Sequence, residues 1–164
     1  MPLIHPTAWI APTATVLFDV SVGARSSVWY QCVIRGDADR VTIGEDSNIQ
    51  DLSMVHVDEG VPCAIGSRVS IGHRAVIHGC TLEDDALIGM GAIILNGAVI
   101  GAGSVVGAGA LVREGQVVPP GVLVVGSPAR VVRPVDPDLS ARRAATWAHY
   151  VRQSARHREH WATG

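Results

Sequence analysis

An aliphatic residue returns at every sixth position along most of this chain. Every residue in the series is Ile, Val or Leu: Ile4, Ile10, Val16, Val22, Val28 and Ile34, then Ile43, Ile49 and Val55, then Ile65, Ile71 and Ile77, and finally Leu82, Ile88, Ile94, Ile100, Val106, Val112, Val118 and Val124. Apolar residues recur at about 3.6 positions in an amphipathic helix and at about 2 in a half-buried strand. A sustained period of six fits neither and is typical of parallel β-helices built from hexapeptides.

The six-residue period predicts an all-β solenoid shaped like a prism, in which each hexapeptide forms one short strand. The aliphatic residue of each hexapeptide, called the ladder residue below, points into the prism, and three hexapeptides complete one coil. Pairing between coils would space them by about 4.8 Å, so about seven coils form a rod on the order of 30 Å tall. Glycine often follows the ladder residue, as at Gly44 and Gly89, which suits corners where backbones crowd or adopt positive φ. A β-sandwich is the alternative, but it has no reason to hold one spacing over so many steps.

The composition favours one domain without nucleic-acid or membrane partners. The chain has 164 residues, of which 48% are hydrophobic, and its formal net charge is −2, so it lacks a basic footprint for nucleic acid or an anionic membrane. No segment has the apolar length of a signal peptide or a membrane span, so we expect a cytoplasmic protein. The three cysteines lack paired spacing and are interpreted as reduced thiols: Cys32, Cys63 and Cys80.

Proline-rich stretches divide the solenoid from a C-terminal segment. We expect the β-helix to span residues 1–133, and residues 134–164 to form a linker and a helix packed along the prism, with N-cap candidates at 138–140. Several residues of this segment recur at mostly helical spacing and are expected to face the prism: Leu139, Trp147, Tyr150, Val151, Ser154 and Trp161. The histidines of the segment are expected in solvent: His149, His157 and His160.

Three histidines fall within the repeat region, and two of them share one face of the prism. If the residues between Val55 and Ile65 form a corner loop, then Val55 and Ile77 lie on the same face of adjacent coils. His56 and His78 each follow one of these ladder residues directly, so they should stack with a spacing of about 4.8 Å. A single histidine on such a wall is usually a surface residue, but a stacked pair favours metal binding.

His73 lies two residues after its ladder residue and belongs to the preceding face. Its side chain should leave another side of the prism, with Asp51 one coil below it, so it should not meet the stacked pair within one chain. A neighbouring subunit in a closed three-fold ring can bring it there. Three imidazoles around one ion form a catalytic zinc arrangement, which lowers the pKa of bound water to about 7. The sequence therefore predicts a metal site and a homotrimer together.

These residues lie in an ordered set of motifs that resembles the gamma-class carbonic anhydrases. The motifs run from Val33-Ile34-Arg35-Gly36-Asp37 through Asn48-Ile49-Gln50-Asp51 and His56 to Ile71-Gly72-His73 and His78-Gly79. The resemblance implies a trimeric left-handed β-helix that converts CO₂ reversibly to bicarbonate at a metal between subunits. It implies that His56 and His78 bind the metal from one chain and His73 from its neighbour.

The resemblance also implies roles for the surrounding polar residues. Arg35 and Asp37 would form an interface ion pair, Asn48 and Gln50 would hydrogen-bond near the metal-bound solvent, and Tyr150 would point from the helix toward the site. From the residues alone, Arg35 and Asp37 could orient the imidazoles or hold the attacking solvent, and an interface ion pair without a catalytic part is an equal alternative. Imidazole ligands suit several metals, so Zn²⁺ is expected, with Fe²⁺ or Co²⁺ as alternatives.

Two departures from the family pattern bear on the expected rate. Ala38 stands where founding members of the family carry a glutamate, and the loop from Val57 to Ala64 is short, leaving Asp58 and Glu59 as the acids that could export protons. Because a missing proton shuttle slows a hydratase without affecting its metal, we expect low turnover.

Three other functions remain open from the sequence. Many hexapeptide proteins are acyltransferases that use acyl-CoA, but these need one histidine as a general base, fewer than this chain offers. A thioesterase acting on acyl-CoA could use the same metal site. The prism wall could also serve a non-catalytic assembly protein.

Overall fold

The ladder residues form three columns along the inside of a left-handed parallel β-helix of about seven coils. The computed structural model describes residues 1–162, so the last two residues of the predicted C-terminal segment lie outside the described residues. Strand register follows the ladder: Ile4 pairs with Val22, Ile10 with Val28, and Val16 with Ile34. The fold and the inward direction of the ladder residues are therefore confirmed.

Each column belongs to one face of the prism. The first face holds β1 (Leu3–Ile4), β8 (Cys63–Ile65), β11 (Thr81–Leu82), β14 (Val99–Ile100) and β17 (Val117–Val118). The second face holds β2 (Trp9–Ile10), β4 (Ser27–Val28), β6 (Asn48–Ile49), β9 (Ser70–Ile71), β12 (Leu87–Ile88), β15 (Val105–Val106) and β18 (Val122–Val125). The third face holds β7 (Met54–His56), β10 (Val76–His78), β13 (Ile93–Ile94) and β16 (Leu111–Val112). Two long strands, β3 (Thr15–Val22) and β5 (Val33–Ile43), run from the third face into the first.

Close approach of backbones and positive φ occur at different positions within each corner. The glycine directly after a ladder residue is needed for space: a Cβ on Gly44 would lie 2.6 Å from the carbonyl carbon of Gly66 in the next coil. Positive φ occurs further into the corner, at Arg25 (φ 57°), Asp46 (φ 56°) and Gly91 (φ 68°). Glycine after the ladder residue therefore allows close coil stacking, while the left-handed turn lies beyond it.

The chain ends with a long helix that packs on the second face. β19 (Arg130–Pro134) pairs antiparallel with β18, and α1 spans Pro137–Ala162. The expected N-cap at 138–140 is wrong: the Asp136 carboxylate accepts a hydrogen bond from the backbone N–H of Leu139 (2.8 Å), and Pro137 occupies the first helical position. Among the described residues, no helix has the length and apolar character needed to cross a bilayer.

Aromatic side chains join α1 to the first coils. The ring of Trp29 lies 5.1 Å from that of Tyr150 and 4.9 Å from that of His157, measured between centroids. The expectation that His157 is a solvated surface group is wrong, since its Nδ1 also lies 2.7 Å from the hydroxyl of Tyr30. Trp161 is 51% exposed, although its Nε1 donates a hydrogen bond to the same hydroxyl. This aromatic packing fixes α1 beside the second face.

Candidate metal centre

Two histidines stack at the end of the third face, where the chain turns toward the first. His56 ends β7 and His78 ends β10, and the two residues are direct partners in the parallel pairing of these strands. Their ring centroids are 5.0 Å apart, and His56 Nδ1 lies 3.0 Å from His78 Nε2. The predicted stacking is confirmed, and it follows from the ladder because adjacent coils are held together by strand hydrogen bonds.

Arg35 and Asp37 lie one coil before His56. Arg35 forms an ion pair with Asp37 in the same chain, and Asp37 Oδ1 lies 3.0 Å from His56 Nε2. Desolvation opposes ionisation of this carboxyl, but hydrogen bonds from its own backbone N–H and from His56, together with the charge of Arg35, lower the pKa of Asp37. Asp37 is therefore an ionised acceptor that fixes the plane of the His56 ring.

Asn96 contacts the other ring and is a site residue that the sequence motifs did not indicate. Its Oδ1 lies 2.6 Å from His78 Nδ1, and its Nδ2 donates to Asp58 Oδ2 at 2.7 Å. The other oxygen of Asp58 lies 4.0 Å from His78 Nε2. The ladder offered a signal for Asn96, because it lies two residues after Ile94, which pairs with Ile77 on the same face.

His73 lies at a different corner, as predicted. Its Nδ1 is 2.9 Å from Asp51 Oδ2, and its Nε2 is 3.4 Å from the hydroxyl of Tyr150 on α1. Desolvation and the nearby charge of Asp51 raise the pKa of Tyr150, so its hydroxyl stays protonated well above neutral pH. The helix thus places a phenol group beside the third predicted ligand.

Asn48 and Gln50 lie on the second face, away from the stacked pair. Gln50 Nε2 donates to Asn48 Oδ1 (3.0 Å), and Asn48 Nδ2 donates to Ser70 Oγ (2.9 Å). Both side chains are buried, and their hydrogen bonds satisfy the groups that burial would otherwise penalise. Of the predicted site residues, the structure thus groups Arg35, Asp37, His56 and His78 at one corner, and Asn48, Gln50, His73 and Tyr150 on the second face and the corner that follows it.

The first of these corners has the donor set of a metal site. One ligand atom each from His56, Asp58 and His78 lies within 4.8 Å of the others. Two nitrogens bound to one ion at about 2.0–2.1 Å in tetrahedral geometry lie about 3.3 Å apart, close to the 3.0 Å between the two rings. The side chains present therefore fit a transition metal with little rearrangement.

Similarity to characterised sequences now identifies the family. A family model described as bacterial transferase hexapeptide (six repeats) matches residues 79–114. The chain is 48% identical over 100 residues to gamma carbonic anhydrase 2 of Arabidopsis thaliana mitochondria, covering 57% of this chain and 36% of that protein. It is also 60% identical over 131 residues to a protein of Methanocaldococcus jannaschii named a probable carbonic anhydrase, covering 80% of this chain and 82% of the relative.

The chain belongs to the gamma-class carbonic anhydrase family.

Membership of the gamma class implies a metal cofactor, and the His56–Asp58–His78 group supplies donors for one. The chain spans just over a third of the plant gamma-class relative but most of the archaeal one. Among solved structures, a hexapeptide transferase family protein of Anaplasma phagocytophilum has a TM-score of 0.91 at 37% identity and covers 94% of this chain and 91% of its own. The Bacillus cereus BC4754 product, provisionally named an acetyltransferase, has a TM-score of 0.95 at 39% identity, with coverage of 96% and 92%.

Proposed function

We propose that this protein catalyses the reversible hydration of CO₂ to bicarbonate at a metal held between the subunits of a homotrimer. His56 and His78 of one subunit and His73 of its neighbour would be the ligands. The observation that carries this proposal is the stacked imidazole pair with converging nitrogens, which Asp37 orients from one side and Asn96 from the other.

The metal would supply Lewis acidity, lowering the pKa of a bound water so that a nucleophile is available near neutral pH. Zn²⁺, Fe²⁺ and Co²⁺ all suit three imidazoles. The protein's part is to hold the rings, and the hydrogen bonds on their outer nitrogens limit ring rotation.

A neighbouring subunit that supplies His73 would also supply the residues around His73. Tyr150 contacts His73, while Gln50 and Asn48 lie on the preceding face of the same chain. We propose that the neighbouring subunit contributes this whole group, with the Gln50 amide, held in place by Asn48, positioning solvent and substrate oxygens and Tyr150 donating its phenolic proton in a hydrogen bond.

An exposed apolar stripe on the third face supports subunit contact. The residues before each ladder position are in register along this face and point outward: Val33, Met54, Val76, Ile93 and Leu111. Met54 is 44% exposed and Ile93 is 38% exposed in the single chain. An apolar stripe beside the histidine pair is a surface that a second copy of this chain would cover.

We expect turnover to be limited by proton export. Ala38 cannot carry a proton, and one oxygen of Asp58 is engaged by Asn96. Glu59 is the remaining carboxylate of the short loop. Adding a small diffusible buffer such as imidazole should therefore raise the rate of CO₂ hydration more than it does in a fast enzyme.

Metal content and oligomer mass test the proposal directly. Wild-type protein should bind about one metal per subunit and behave as a trimer by light scattering, with CO₂ hydration measurable by stopped flow. His73→Ala should remain a trimer but lose most of its metal and activity, whereas His149→Ala, on the exposed face of α1, should retain both. A monomer, or a trimer that binds no metal, would contradict the interface site.

Transfer of an acyl group from CoA is the second candidate, supported by the provisional name of the Bacillus cereus neighbour. The two functions differ in their need for the stacked pair. Binding of acetyl-CoA that survives the double substitution His56→Ala and His78→Ala would favour the transferase.

A further inference from the structure

Asn96 and Asp58 form a hydrogen-bonded pair beside His78, and the family resemblance gave this pair no role in holding the ring. Building on the proposed function, we propose that Asn96 is a positioning residue that holds His78 with its Nε2 free for the metal, and that Asp58 sets the orientation of the Asn96 amide. The contacts are short, at 2.6 Å from Asn96 Oδ1 to His78 Nδ1 and 2.7 Å from Asn96 Nδ2 to Asp58 Oδ2.

The direction of each hydrogen bond follows from what each group can do. An ionised carboxylate only accepts, so the Asn96 nitrogen must face Asp58, and its oxygen must face His78. That oxygen also only accepts, so the hydrogen of a neutral His78 ring lies on Nδ1, and the lone pair lies on Nε2. Nε2 faces His56 Nδ1 at 3.0 Å and the second Asp58 oxygen at 4.0 Å, which is where the metal donors converge.

The local backbone is shaped to allow this contact. Gly79 follows His78 with φ 51°, and a Cβ at this position would collide with the Asn96 side-chain oxygen. The backbone N–H of Gly97 donates to the Gly79 carbonyl at 2.7 Å, which holds Asn96 over the ring. Asp58 comes from a tight loop closed by a bridge to Val61, with Gly60 at φ 74°. Two coils and one loop therefore meet behind a single histidine nitrogen.

Three variants of the full chain separate this role from simple packing. Asn96→Leu keeps the branched shape and the number of side-chain heavy atoms but removes both hydrogen bonds, and zinc affinity should fall about 10- to 100-fold in competition with a chelating dye. Asn96→Asp places two carboxylates in contact, because Asp58 is already there, and should weaken zinc binding similarly. The double swap Asp58→Asn with Asn96→Asp restores both hydrogen bonds. The amide now at position 58 donates to the carboxylate now at position 96, and that carboxylate accepts from His78. The double swap should restore most of the affinity.

The tautomer of His78 gives a second readout that does not depend on metal. Long-range ¹H–¹⁵N correlation of the metal-free protein, at a pH where the ring is neutral, should show the Nδ1–H form in wild type and in the double swap. Asn96→Leu should show a mixture or the other tautomer. Glu114→Gln is the matched control, because Glu114 occupies the equivalent corner position one coil further along and is exposed.

The outcomes distinguish the two proposals. Unchanged zinc affinity and an unchanged His78 tautomer in Asn96→Leu would overturn the assignment of Asn96, as would a double swap no better than Asn96→Asp alone. If wild type shows the Nδ1–H tautomer and Asn96→Leu loses it, but wild type binds no zinc, the proposed function fails while the positioning role of Asn96 stands.

Discussion

At the scale of single residues, Phe18 is held in a conformation that bulky side chains rarely adopt. Its φ is 67°, and the residue is 55% exposed, so little burial within one chain offsets the steric cost. Phe18 pairs with Gly36 in the next coil, directly after the pair that Leu17 forms with Arg35. The ring therefore lies at the same corner as the stacked histidines, two coils earlier.

Comparing Phe18→Gly with Phe18→Ala isolates the strain at this position. Both variants lose the ring, but only glycine removes the Cβ that opposes positive φ, so the glycine variant should be more stable by about 1 kcal/mol. Denaturant unfolding at equal protein concentration measures the difference. Equal stability would show that the backbone relaxes around this residue, and a loss of oligomer in both variants would place the ring in a subunit contact.

The three cysteines should be inert thiols in the native protein. Burial raises the pKa of Cys32 to about 11, although backbone hydrogen bonds oppose this. The hydrogen bond between Cys63 and Cys80 raises the pKa of Cys80 well above its ordinary value, to which burial adds, and it lowers the pKa of Cys63 against the effect of burial. All three are buried and free. We expect a maleimide reagent at pH 8 to label none of them until denaturant is added, and rapid labelling of native protein would contradict this packing.

At the scale of the strand and the coil, the ladder concentrates stability in the middle of the prism. Ile88 is fully buried between Ile71 and Val106, while Ile4 in the first coil is only partly buried. Ile88→Ala should therefore lower the free energy of unfolding by about 2–5 kcal/mol, and Ile4→Ala by much less. Chemical denaturation of the two variants at one protein concentration checks this order, and similar losses would mean that the first coil is covered in the native assembly.

Much of the architecture could be read from the sequence because the same rule repeats. Each ladder residue fixes its own face and coil, so the stacking of His56 on His78 and the position of Asp51 below His73 could be counted without a structure. The N-cap at Asp136 and the packing of His157 on Trp29 could not, because they depend on how α1 docks onto the first coils. The place of Asn96 beside His78 could be counted from Ile94, but its role could not, because that role depends on the loop carrying Asp58, whose path has no repeat to follow.

At the scale of the whole molecule, the proposed site requires two subunits, and mixed trimers can test this. One variant carries His73→Ala, and the other carries both His56→Ala and His78→Ala. In a three-fold ring that contains both kinds of chain, one junction, and only one, combines an intact pair with an intact His73. Each variant alone should bind almost no metal, and joint refolding should restore about one metal per mixed trimer.

The readout is the metal content of the jointly refolded protein. The control is a mixture of the two variants that were refolded separately and combined afterwards. No recovery in trimers shown by mass spectrometry to be mixed would place the third ligand elsewhere. Full metal binding by the His73→Ala chain alone would instead favour a site completed by Asp58 within one subunit.

Beyond the coil that leads to Asn96, each coil continues the same strand ladder up to the last one. Whole coils can therefore be gained or lost there without disturbing the ladder, provided that α1, which begins beyond the last coil and contacts His73 through Tyr150, changes its length with them. Duplication or loss of a complete coil beyond Asn96 would keep every column in phase and leave the contacts of His78 with His56 and Asn96 in place, whereas removal of a single residue would rotate everything beyond it by part of a face. Insertions tolerated during the history of such chains should accordingly come in multiples of one full turn of the prism, or in corner loops that leave the count unaltered.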